Sequence, residues 1–235
     1  ATLIRCSNWP TADWTGSSIC RPDSSRHHRT RARSDADRMR IVCASANPKK
    51  VEEMSRLMPR RVEFLPRPDG LGDVEETAPT LQGNAIIKAV EVANFAEAWA
   101  IADDTGLEVN ALGGAPGVFS ARYAGEPADD AANRHKLLAE LDGITDRSAR
   151  FRTVVALVSW QGDMHYVTGE CAGVIAHSER GANGFGYDSL FVPDDGDGRT
   201  FAEMSSAEKD AISHRARAMA QIPGLIARIT GTAPD

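Results

Sequence analysis

Two adjacent carboxylates, Asp103 and Asp104, end an apolar run that is predicted to form a buried strand, and Thr105 and Gly106 follow them. Like charges side by side cost stability unless something cationic offsets them. A divalent metal is the simplest candidate, because Mg²⁺ takes carboxylate oxygens and leaves positions for water and a substrate phosphate. The same four residues also favour turns, so the pattern alone leaves a metal site and an ordinary turn open.

Two lysines, Lys49 and Lys50, occupy the first turn of a predicted helix that Asn47 caps and Pro48 opens. The helix macrodipole disfavours each cation at this end of the helix by roughly 0.3–1 kcal/mol. A bound polyanion would offset that cost, because it could use free backbone N–H groups together with the lysines. The alternative is a solvated helix end with two surface lysines. The chain contains no GxxxxGK[ST] sequence, so this segment is not a P-loop.

Further polar candidates lie in the C-terminal third of the chain. Lys209 and Ser213 are four residues apart on a predicted helix and so share one face, and His214 and Arg215 follow directly. Taken alone, Arg215 could be a surface cation and His214 a satisfied, partly buried histidine. Residues 185–188 place two aromatic rings and a carboxylate beside a glycine, and such rings are more often core anchors than platforms for a base.

The elements that must position these residues alternate along the chain. Strands are predicted over residues 41–44 and 62–65, from residue 101, and over 151–158, 164–174 and 190–192. Helices are predicted over about 48–58, 81–98, 129–141 and 205–221. The two longest β-prone runs follow each other directly and are expected to form a hairpin. This interleaving predicts an α/β protein with a mixed sheet.

Composition narrows the class of protein. The chain has 235 residues, of which 42% are hydrophobic and 26% charged, as is typical of a soluble globular protein. No apolar run approaches the ~20 residues that span a bilayer. The net charge of -6 argues against broad nucleic-acid binding. The four cysteines form no CxxC pair, which favours neither a zinc site nor a disulfide framework and fits a reducing cytoplasm.

Residues 1–38 differ from the rest of the chain. They carry seven arginines, no lysine and four acidic residues, together with many serines and only scattered apolar side chains. This composition predicts a disordered N-terminal extension, with the folded part over residues 39–235. Met39 is a candidate natural start, because the first predicted strand begins close to it. A basic arm that contacts nucleic acid is the alternative.

Five segments of the chain carry a resemblance to a known family. They are Ser45–Lys50, Ala102–Val109, Leu112–Gly125, Gly184–Asp188 and Glu208–Arg215. In this order they closely resemble the inosine triphosphate pyrophosphatases, the house-cleaning enzymes for deaminated purine nucleotides, from about residue 39 to residue 229. The resemblance implies an elongated α/β fold of two lobes around a long central mixed sheet, with the active site in the cleft. It also implies a homodimer and a Mg²⁺ cofactor.

The implied reaction converts a purine nucleoside triphosphate and water to the monophosphate and pyrophosphate, with ITP, dITP and XTP preferred. Asp104 would be the general base and a metal ligand, and Glu76 a second metal ligand. No nucleic acid and no membrane is expected as a partner. The residues implied in substrate binding are Ser45, Ala46, Asn47, Pro48, Lys49, Lys50, Thr105, Phe185, Gly186, Tyr187, Asp188, Lys209, His214 and Arg215.

Two arguments sharpen these roles. On an extended backbone Asp103 and Asp104 would point to opposite faces, so only one should face the metal, and the resemblance favours Asp104. Hypoxanthine and xanthine carry the acceptor O6 where adenine carries an amino donor. A donor such as Arg215 or a backbone N–H would therefore favour them by ~10²–10⁴. The alternative is that Arg215 grips phosphate.

The chain departs from the family pattern at a few positions. Pro48 stands where a small or aliphatic residue is common, Asn110 replaces a frequent Asp, and Ser189 replaces a frequent Pro. Thr105 replaces a frequent Ser and keeps the hydroxyl. Two other functions compete, namely a phosphohydrolase that releases orthophosphate and a nucleotide- or RNA-binding module without chemistry. The paired carboxylates argue against the second, because they repel phosphate unless a metal lies between.

Overall fold

The computed structural model describes residues 38–232, which belong to one compact unit. The predicted N-terminal extension therefore lies outside the described residues, apart from Arg38, and the division into two lobes stays a prediction. Among the described residues, no helix has both the length and the apolar character that a membrane crossing requires.

Helices and strands alternate through the described range. The strands are β1 Met39–Cys43, β2 Val62–Leu65, β3 Trp99–Val109, β4 Pro116–Gly117, β5 Ser148–Val158, β6 Met164–Ile175 and β7 Phe191–Pro193. The helices are α1 Pro48–Leu57, α2 Leu81–Ala96, α3 Asp130–Glu140, α4 Ser206–Ile212, α5 His214–Met219 and α6 Ile222–Thr230. The predicted helix at residue 48, the strand at residue 62 and the β5–β6 hairpin are confirmed.

A single mixed sheet organises the fold, as predicted. Its strand order is β2-β1-β3-β5-β6-β7, and the short β4 pairs with the end of β3. β1 runs parallel to β2 and β3, whereas the pairs β3–β5, β5–β6 and β6–β7 are antiparallel. β3 is therefore the strand at which the sheet changes direction. Where β1 ends, the Ala44 amide donates to the Ile101 carbonyl at 2.8 Å, so the start of α1 lies beside the middle of β3.

The Asp-Asp-Thr-Gly segment lies within β3, and the turn interpretation is wrong. Asp103 and Asp104 pair with Val155 and Val154 of β5, and the pairing continues along the whole strand. This ladder of hydrogen bonds outweighs the local turn preference of the four residues. Gly106 serves a close approach instead, because a Cβ there would lie 2.6 Å from the carbonyl oxygen of Gly117 in β4.

Apolar side chains cover both faces of the sheet. Alternation along β3 directs Ala100 toward the cluster that contains α2, and Ile101 toward the cluster that contains α5 and α6. A third cluster lies toward the other end of β3, where Leu107 and Phe151 pack with Leu137 of α3. The polar residues 103–105 fall between these clusters.

The helix predicted over residues 205–221 is broken, which corrects the sequence analysis. The capping box of Ser205 and Glu208 opens α4 as predicted, but Ser213 is extended and caps a second helix through the Ala216 amide. Lys209 and Ser213 therefore do not share a helix face. A further helix, α6, then runs through Pro223, beyond the predicted helix end at about residue 221. Proline is tolerated there because the first turn has no intrahelical partner for its missing N–H.

Candidate active site

A cleft opens beside the middle of β3, where the start of α1, the segment before α2, the loop before β7 and the α4–α5 junction meet. Among the residues implied in the site, it is lined by Asn47, Lys50, Glu76, Asp104, Thr105, Phe185, Gly186, Tyr187, Asp188, Lys209, His214 and Arg215. Ser45, Ala46 and Pro48 line a different groove, between α1 and residues 66–71. Lys49 is exposed, and its Nζ donates to the Gly184 carbonyl at 2.9 Å.

Asp104 faces the cleft with one carboxylate oxygen unpaired. Lys88 of α2 donates to Asp104 Oδ1 at 2.8 Å and to Glu76 Oε1 at 3.0 Å, so one ammonium joins the two carboxylates. The other oxygen, Asp104 Oδ2, is buried and has no hydrogen-bond partner. Burial raises the pKa of Asp104, although the Lys88 charge opposes this shift. A carboxylate oxygen without a donor can accept a proton or bind a cation.

Asp103 points to the opposite face, as the extended backbone predicts. Its Oδ2 accepts from Arg215 Nη2 at 2.9 Å and from the Thr105 hydroxyl at 3.1 Å, and it lies 3.3 Å from Lys50 Nζ. Burial alone would raise the pKa of Asp103, but Lys50 and Arg215 hold it far below its usual range. Asp103 is therefore an ionised partner of cations, and it does not line the cleft.

A buried network of charges continues from Asp103 through Arg215. The Arg215 guanidinium also donates to Glu53 of α1, whose other oxygen accepts from Lys209 Nζ at 2.7 Å. Lys209 donates in turn to Asp188 at 2.7 Å. Three carboxylates thus meet three cations, which is what burial of charge requires. The members are Glu53, Asp103, Asp188, Lys50, Lys209 and Arg215.

Arg215 is 1% exposed, so the surface-cation interpretation is wrong. Its Nε and Nη2 donate to Asp103, Nη2 also donates to Thr105, and Nη1 donates to Glu53. A guanidinium has five N–H bonds, so these contacts leave one, on Nη1, for a ligand. The resemblance implies a nucleotide contact here, and this single N–H limits what that contact can be.

The aromatic residues of the cleft divide into anchors and accessible rings. Tyr187 is a core anchor, because it is buried and its hydroxyl donates to the Ser120 carbonyl at 2.9 Å. Phe185 is only half-buried, and its ring centre lies 5.0 Å from Lys209 Nζ and 5.7 Å from the Arg215 guanidinium carbon. The Phe185 ring is therefore the candidate surface for a flat ligand.

His214 is a buried, neutral ring. It stacks on Phe151 with 4.5 Å between ring centres, and burial together with the Arg215 charge lowers its pKa well below 6.5. Its Nδ1 is buried without a hydrogen-bond partner. The satisfied, partly buried histidine weighed in the sequence analysis is therefore wrong, because the ring is fully buried and one of its nitrogens has no partner in the protein.

The start of α1 offers less to an anion than the sequence predicts. Asn47 Oδ1 accepts from the Lys49 amide at 3.0 Å and from the Lys50 amide at 3.3 Å, and Pro48 has no N–H. The Val51 amide bonds to the Asn47 carbonyl at 3.0 Å. The expectation of free backbone N–H groups at this helix start is therefore wrong. The cationic groups that remain for a polyanion here are the side chains of Lys49 and Lys50.

Sequence reasoning missed Lys88 and Glu53. Lys88 follows Leu81 by seven positions and Asn84 by four, so it lies on the helix face whose other members are buried. A lysine on an apolar helix face was therefore a usable signal. Glu53 lies one turn after Lys50 on α1, which is too common a spacing to single it out. Its role becomes visible only because Lys209 and Arg215 are more than 150 residues away in the chain.

Comparison with known proteins identifies the family. Residues 41–223 match the sequence model of the Ham1 family. The chain belongs to the Ham1 family. Every side chain that lines the cleft lies within those matched residues. The Ham1 match and the cleft geometry thus concern the same part of the chain.

Two relatives and two solved structures match this chain over nearly their whole length. The dITP/XTP pyrophosphatase of Christiangramia forsetii is 46% identical over 186 residues, which cover 78% of this chain and 97% of that protein. The dITP/XTP pyrophosphatase of Desulforamulus reducens is 44% identical over 197 residues, covering 81% and 97%. The structure of a HAM1 protein from Coxiella burnetii has a TM-score of 0.74 and 41% identity, covering 81% of this chain and 99% of that chain. The Ham1 protein of Staphylococcus aureus has a TM-score of 0.70 and 40% identity, covering 82% and 98%.

Proposed function

We propose that this Ham1 chain hydrolyses the deaminated purine nucleotides ITP, dITP and XTP to the nucleoside monophosphate and pyrophosphate. Its relatives from C. forsetii and D. reducens are dITP/XTP pyrophosphatases. The observation that carries the proposal is Asp104 Oδ2, an unpartnered carboxylate oxygen in a cleft that also holds Lys50, Lys209 and Arg215. Release of orthophosphate and binding without chemistry are both less favoured.

The chemistry assigned to the chain is positioning, charge neutralisation and proton transfer. Hydrolysis at the α-phosphorus needs a water molecule in line with the leaving pyrophosphate. Asp104 orients that water and accepts its proton, and burial raises the pKa of this carboxyl in the metal-free protein. Lys49 and Lys50 offset the negative charge of the phosphates at the start of α1.

We propose Mg²⁺ as the metal, held by Asp104 and Glu76. Both carboxylates lie within 3.0 Å of the same Lys88 ammonium, and Asp104 Oδ2 has no donor, so the donor set suits a hard cation. Residues 38–232 contain no group of three or more potential metal-ligating side chains. Two carboxylates are nevertheless enough, because Mg²⁺ commonly shares its other positions between water and substrate phosphates. When bound, Mg²⁺ supplies charge neutralisation on the phosphates.

Base selection is assigned to the remaining Arg215 N–H and to the half-buried Phe185 ring. A donor in the cleft would bond O6 of hypoxanthine or xanthine, whereas adenine would leave that donor unpaired. The ring would stack on the base, since every purine presents a flat face. Guanine also carries O6, so its rejection must involve its 2-amino group.

The test is turnover of dITP, ITP, XTP, ATP and GTP, with and without Mg²⁺, with separate detection of pyrophosphate and orthophosphate. We expect the deaminated nucleotides to release pyrophosphate and the reaction to require the metal. Orthophosphate as the sole phosphorus product would contradict the proposed reaction. Equal turnover of ATP would contradict the proposed substrate class.

We also propose that the enzyme acts as a homodimer in the cytoplasm and without a nucleic-acid partner. The resemblance to inosine triphosphate pyrophosphatases supports the dimer. The net charge of -6 supports the absence of a nucleic-acid partner. The two free, buried thiols of Cys43 and Cys171 support a reducing compartment such as the cytoplasm. Light scattering coupled to gel filtration tests the dimer, and a single peak at 25.3 kDa would refute it.

A further inference from the structure

One residue of the loop before β7 is bonded at both of its backbone groups by side chains of α3. The Gly186 amide donates to Asp130 Oδ2 at 2.8 Å, and the Gly186 carbonyl accepts from Arg134 Nη1 at 2.9 Å. Asp130 and Arg134 are four residues apart on α3, so they lie on the same helix face. Both backbone groups of a single residue are thus fixed by one helix turn.

The loop needs such external bonds on this side. Gly186 has a φ of +58°, a left-handed conformation, and it directly follows Phe185. Tyr187 and Asp188 hold the far side of the loop through Ser120 and Lys209. On the near side, Asn183 bonds the Ala202 and Met204 carbonyls, and the exposed Lys49 bonds the Gly184 carbonyl. Between these bonds and those of Tyr187 and Asp188, α3 holds Gly186, so the position of the Phe185 ring depends in part on α3.

The guanidinium of Arg134 is itself fixed. Its Nε donates to Glu179 Oε2 at 2.8 Å, and the Ser189 hydroxyl donates to the same oxygen at 3.1 Å. Ser189 is the residue that replaces a frequent proline of the family pattern. Glu179 thus links Ser189, at the end of the loop, to Arg134, which holds the middle of the loop. This link makes up for the rigidity that is lost with the proline.

We propose that Asp130 and Arg134 are positioning residues that clamp Gly186 and thereby place the Phe185 ring for the nucleotide. The clamp rests on the proposed function, and it acts on nucleotide binding rather than on hydrolysis at Asp104. The Phe185 ring lies 5.0 Å from Lys209 and 5.7 Å from Arg215, so release of Gly186 lets the ring leave the cations that border the cleft.

Kinetics of three variants test the clamp. Asp130→Ala and Arg134→Ala should each raise KM for dITP about three- to ten-fold, the worth of one hydrogen bond, with kcat within about two-fold of wild type. Asp130→Asn should restore KM, because the amide oxygen can still accept from the Gly186 N–H. A fall in kcat with KM unchanged would overturn the proposal, and so would a failure of Asp130→Asn to restore KM.

Asp129→Ala is the matched control. Asp129 caps α3 through the Ala131 and Ala132 amides, at 2.8 and 3.1 Å, and makes no bond to the loop. Its loss should lower Tm and leave KM for dITP unchanged. If Asp129→Ala raises KM as much as Asp130→Ala does, the effect comes from the stability of α3 and the clamp is refuted.

Amide hydrogen exchange of the free protein separates the clamp from the proposed function. Asp130→Ala should speed exchange at the Gly186 amide, whereas Asp129→Ala should leave it at the wild-type rate relative to the other loop amides. This measurement needs no substrate, so it stands even if wild-type protein fails to hydrolyse dITP. Unchanged exchange at Gly186 in Asp130→Ala would overturn the clamp whatever the substrate proves to be.

Discussion

Two neighbouring aspartates become different chemical groups because a strand sends their side chains to opposite faces. Burial is the largest single influence on both carboxyls, but Lys50 and Arg215 outweigh it at Asp103 and lower its pKa, whereas the pKa of Asp104 stays raised. Titratable pairs whose environments push their pKa values apart are typical of active sites. The charge that stabilises the fold and the charge that does chemistry thus lie on consecutive residues.

Substitution should separate these two roles. Asp104→Asn should lower kcat for dITP at least about 10³-fold and leave Tm unchanged or higher, because a buried base is lost but no cation is stranded. Asp103→Asn should lower Tm by several degrees, since loss of one member of a buried ion pair costs about 3–5 kcal/mol. Kinetics at saturating dITP and thermal melts measure both effects. Equal Tm values for the two variants would show that Asp103 does not stabilise the network.

The neutral His214 should make stability depend on pH. Its pKa is lowered in the folded protein, so the unfolded chain takes up the proton first as pH falls below about 6.5. Stability is therefore lost below that pH, by at most about 1.4 kcal/mol per pH unit. The His214→Phe variant keeps a ring stacked on Phe151 but has no titratable group at this position. The Tm of this variant should therefore fall less than that of wild type between pH 7 and 5. Parallel Tm profiles would assign the acid sensitivity to other groups.

The role of Arg215 can be read from a ratio of substrates. Arg215→Lys keeps a cation for Asp103 and Glu53 but loses the remaining Nη1 N–H, so kcat/KM should fall more for ITP than for ATP. Any loss of folded enzyme cancels in the ratio of the two values. An unchanged ratio would assign Arg215 to the phosphates or to the network alone, and the base would then be read elsewhere.

At the scale of elements, the register of β1 against β3 brings α1 to the cleft. β1 ends beside Ile101, and the chain turns directly into the helix that Asn47 caps. Lys50 in the first turn then reaches Asp103, and Glu53 one turn later reaches Lys209 and Arg215. One short helix therefore supplies both a cation and a carboxylate to the buried network.

The cap of α1 should be separable from its charge. Asn47→Ala should cost about 1 kcal/mol of stability, because Lys49 and Lys50 lose the acceptor of their amides. Asn47→Asp should keep Tm, since aspartate is an equally good cap, yet raise KM for dITP through its negative charge in the cleft. Melting curves and KM values of the two variants check this. A KM for Asn47→Asp equal to that of wild type would show that the phosphates do not bind near the start of α1.

Caps, prolines and β-prone runs predict those helices and strands whose ends depend on residues nearby in the sequence. The other elements are decided by residues that are distant in the sequence and pair with them in the fold. The cap and proline of α1, the β5–β6 hairpin and the capping box of Ser205 were all readable in the sequence. The passage of β3 through its Asp-Asp-Thr-Gly segment was not, because β5 imposes it. The break at Ser213 was also missed, since one serine hydroxyl ends one helix and caps the next.

The site follows the same division. Asp104 and most of the cleft lining were named from the family resemblance and from residue types. Lys88 and Glu53 were missed, because their partners lie on other elements of the chain, which come close only in the folded sheet. Charge balance in a buried network depends on the whole set of neighbours, so single motifs do not reveal it.

At the scale of the molecule, the cleft is built from residues between positions 47 and 215. The Ham1 match begins at residue 41, and the relatives from C. forsetii and D. reducens are covered over 97% of their length. The whole cleft and all of the sheet after Arg40 therefore lie inside the matched part of the chain, whereas most of α6 lies beyond it.

Deletion of residues 1–37 should leave kcat/KM for dITP, the oligomeric state and Tm unchanged within error. The reason is that every cleft residue and the family match lie downstream of that segment. Steady-state kinetics, light scattering and thermal melts of the shortened chain check this. A large loss of kcat/KM would show that the arginine-rich segment belongs to the enzyme.

The ion pair of Glu53 and Arg215 joins residues 162 positions apart, which bears on synthesis of the chain. At elongation rates of about 5–20 residues per second, the ribosome needs roughly 8–30 s to travel that distance. During this interval Glu53 and Asp103 exist without their guanidinium, and their hydration opposes burial at the centre of the sheet. A nascent chain halted before residue 215 should therefore stay open to proteases around β3, and the full chain should close only after its C-terminal helices leave the exit tunnel.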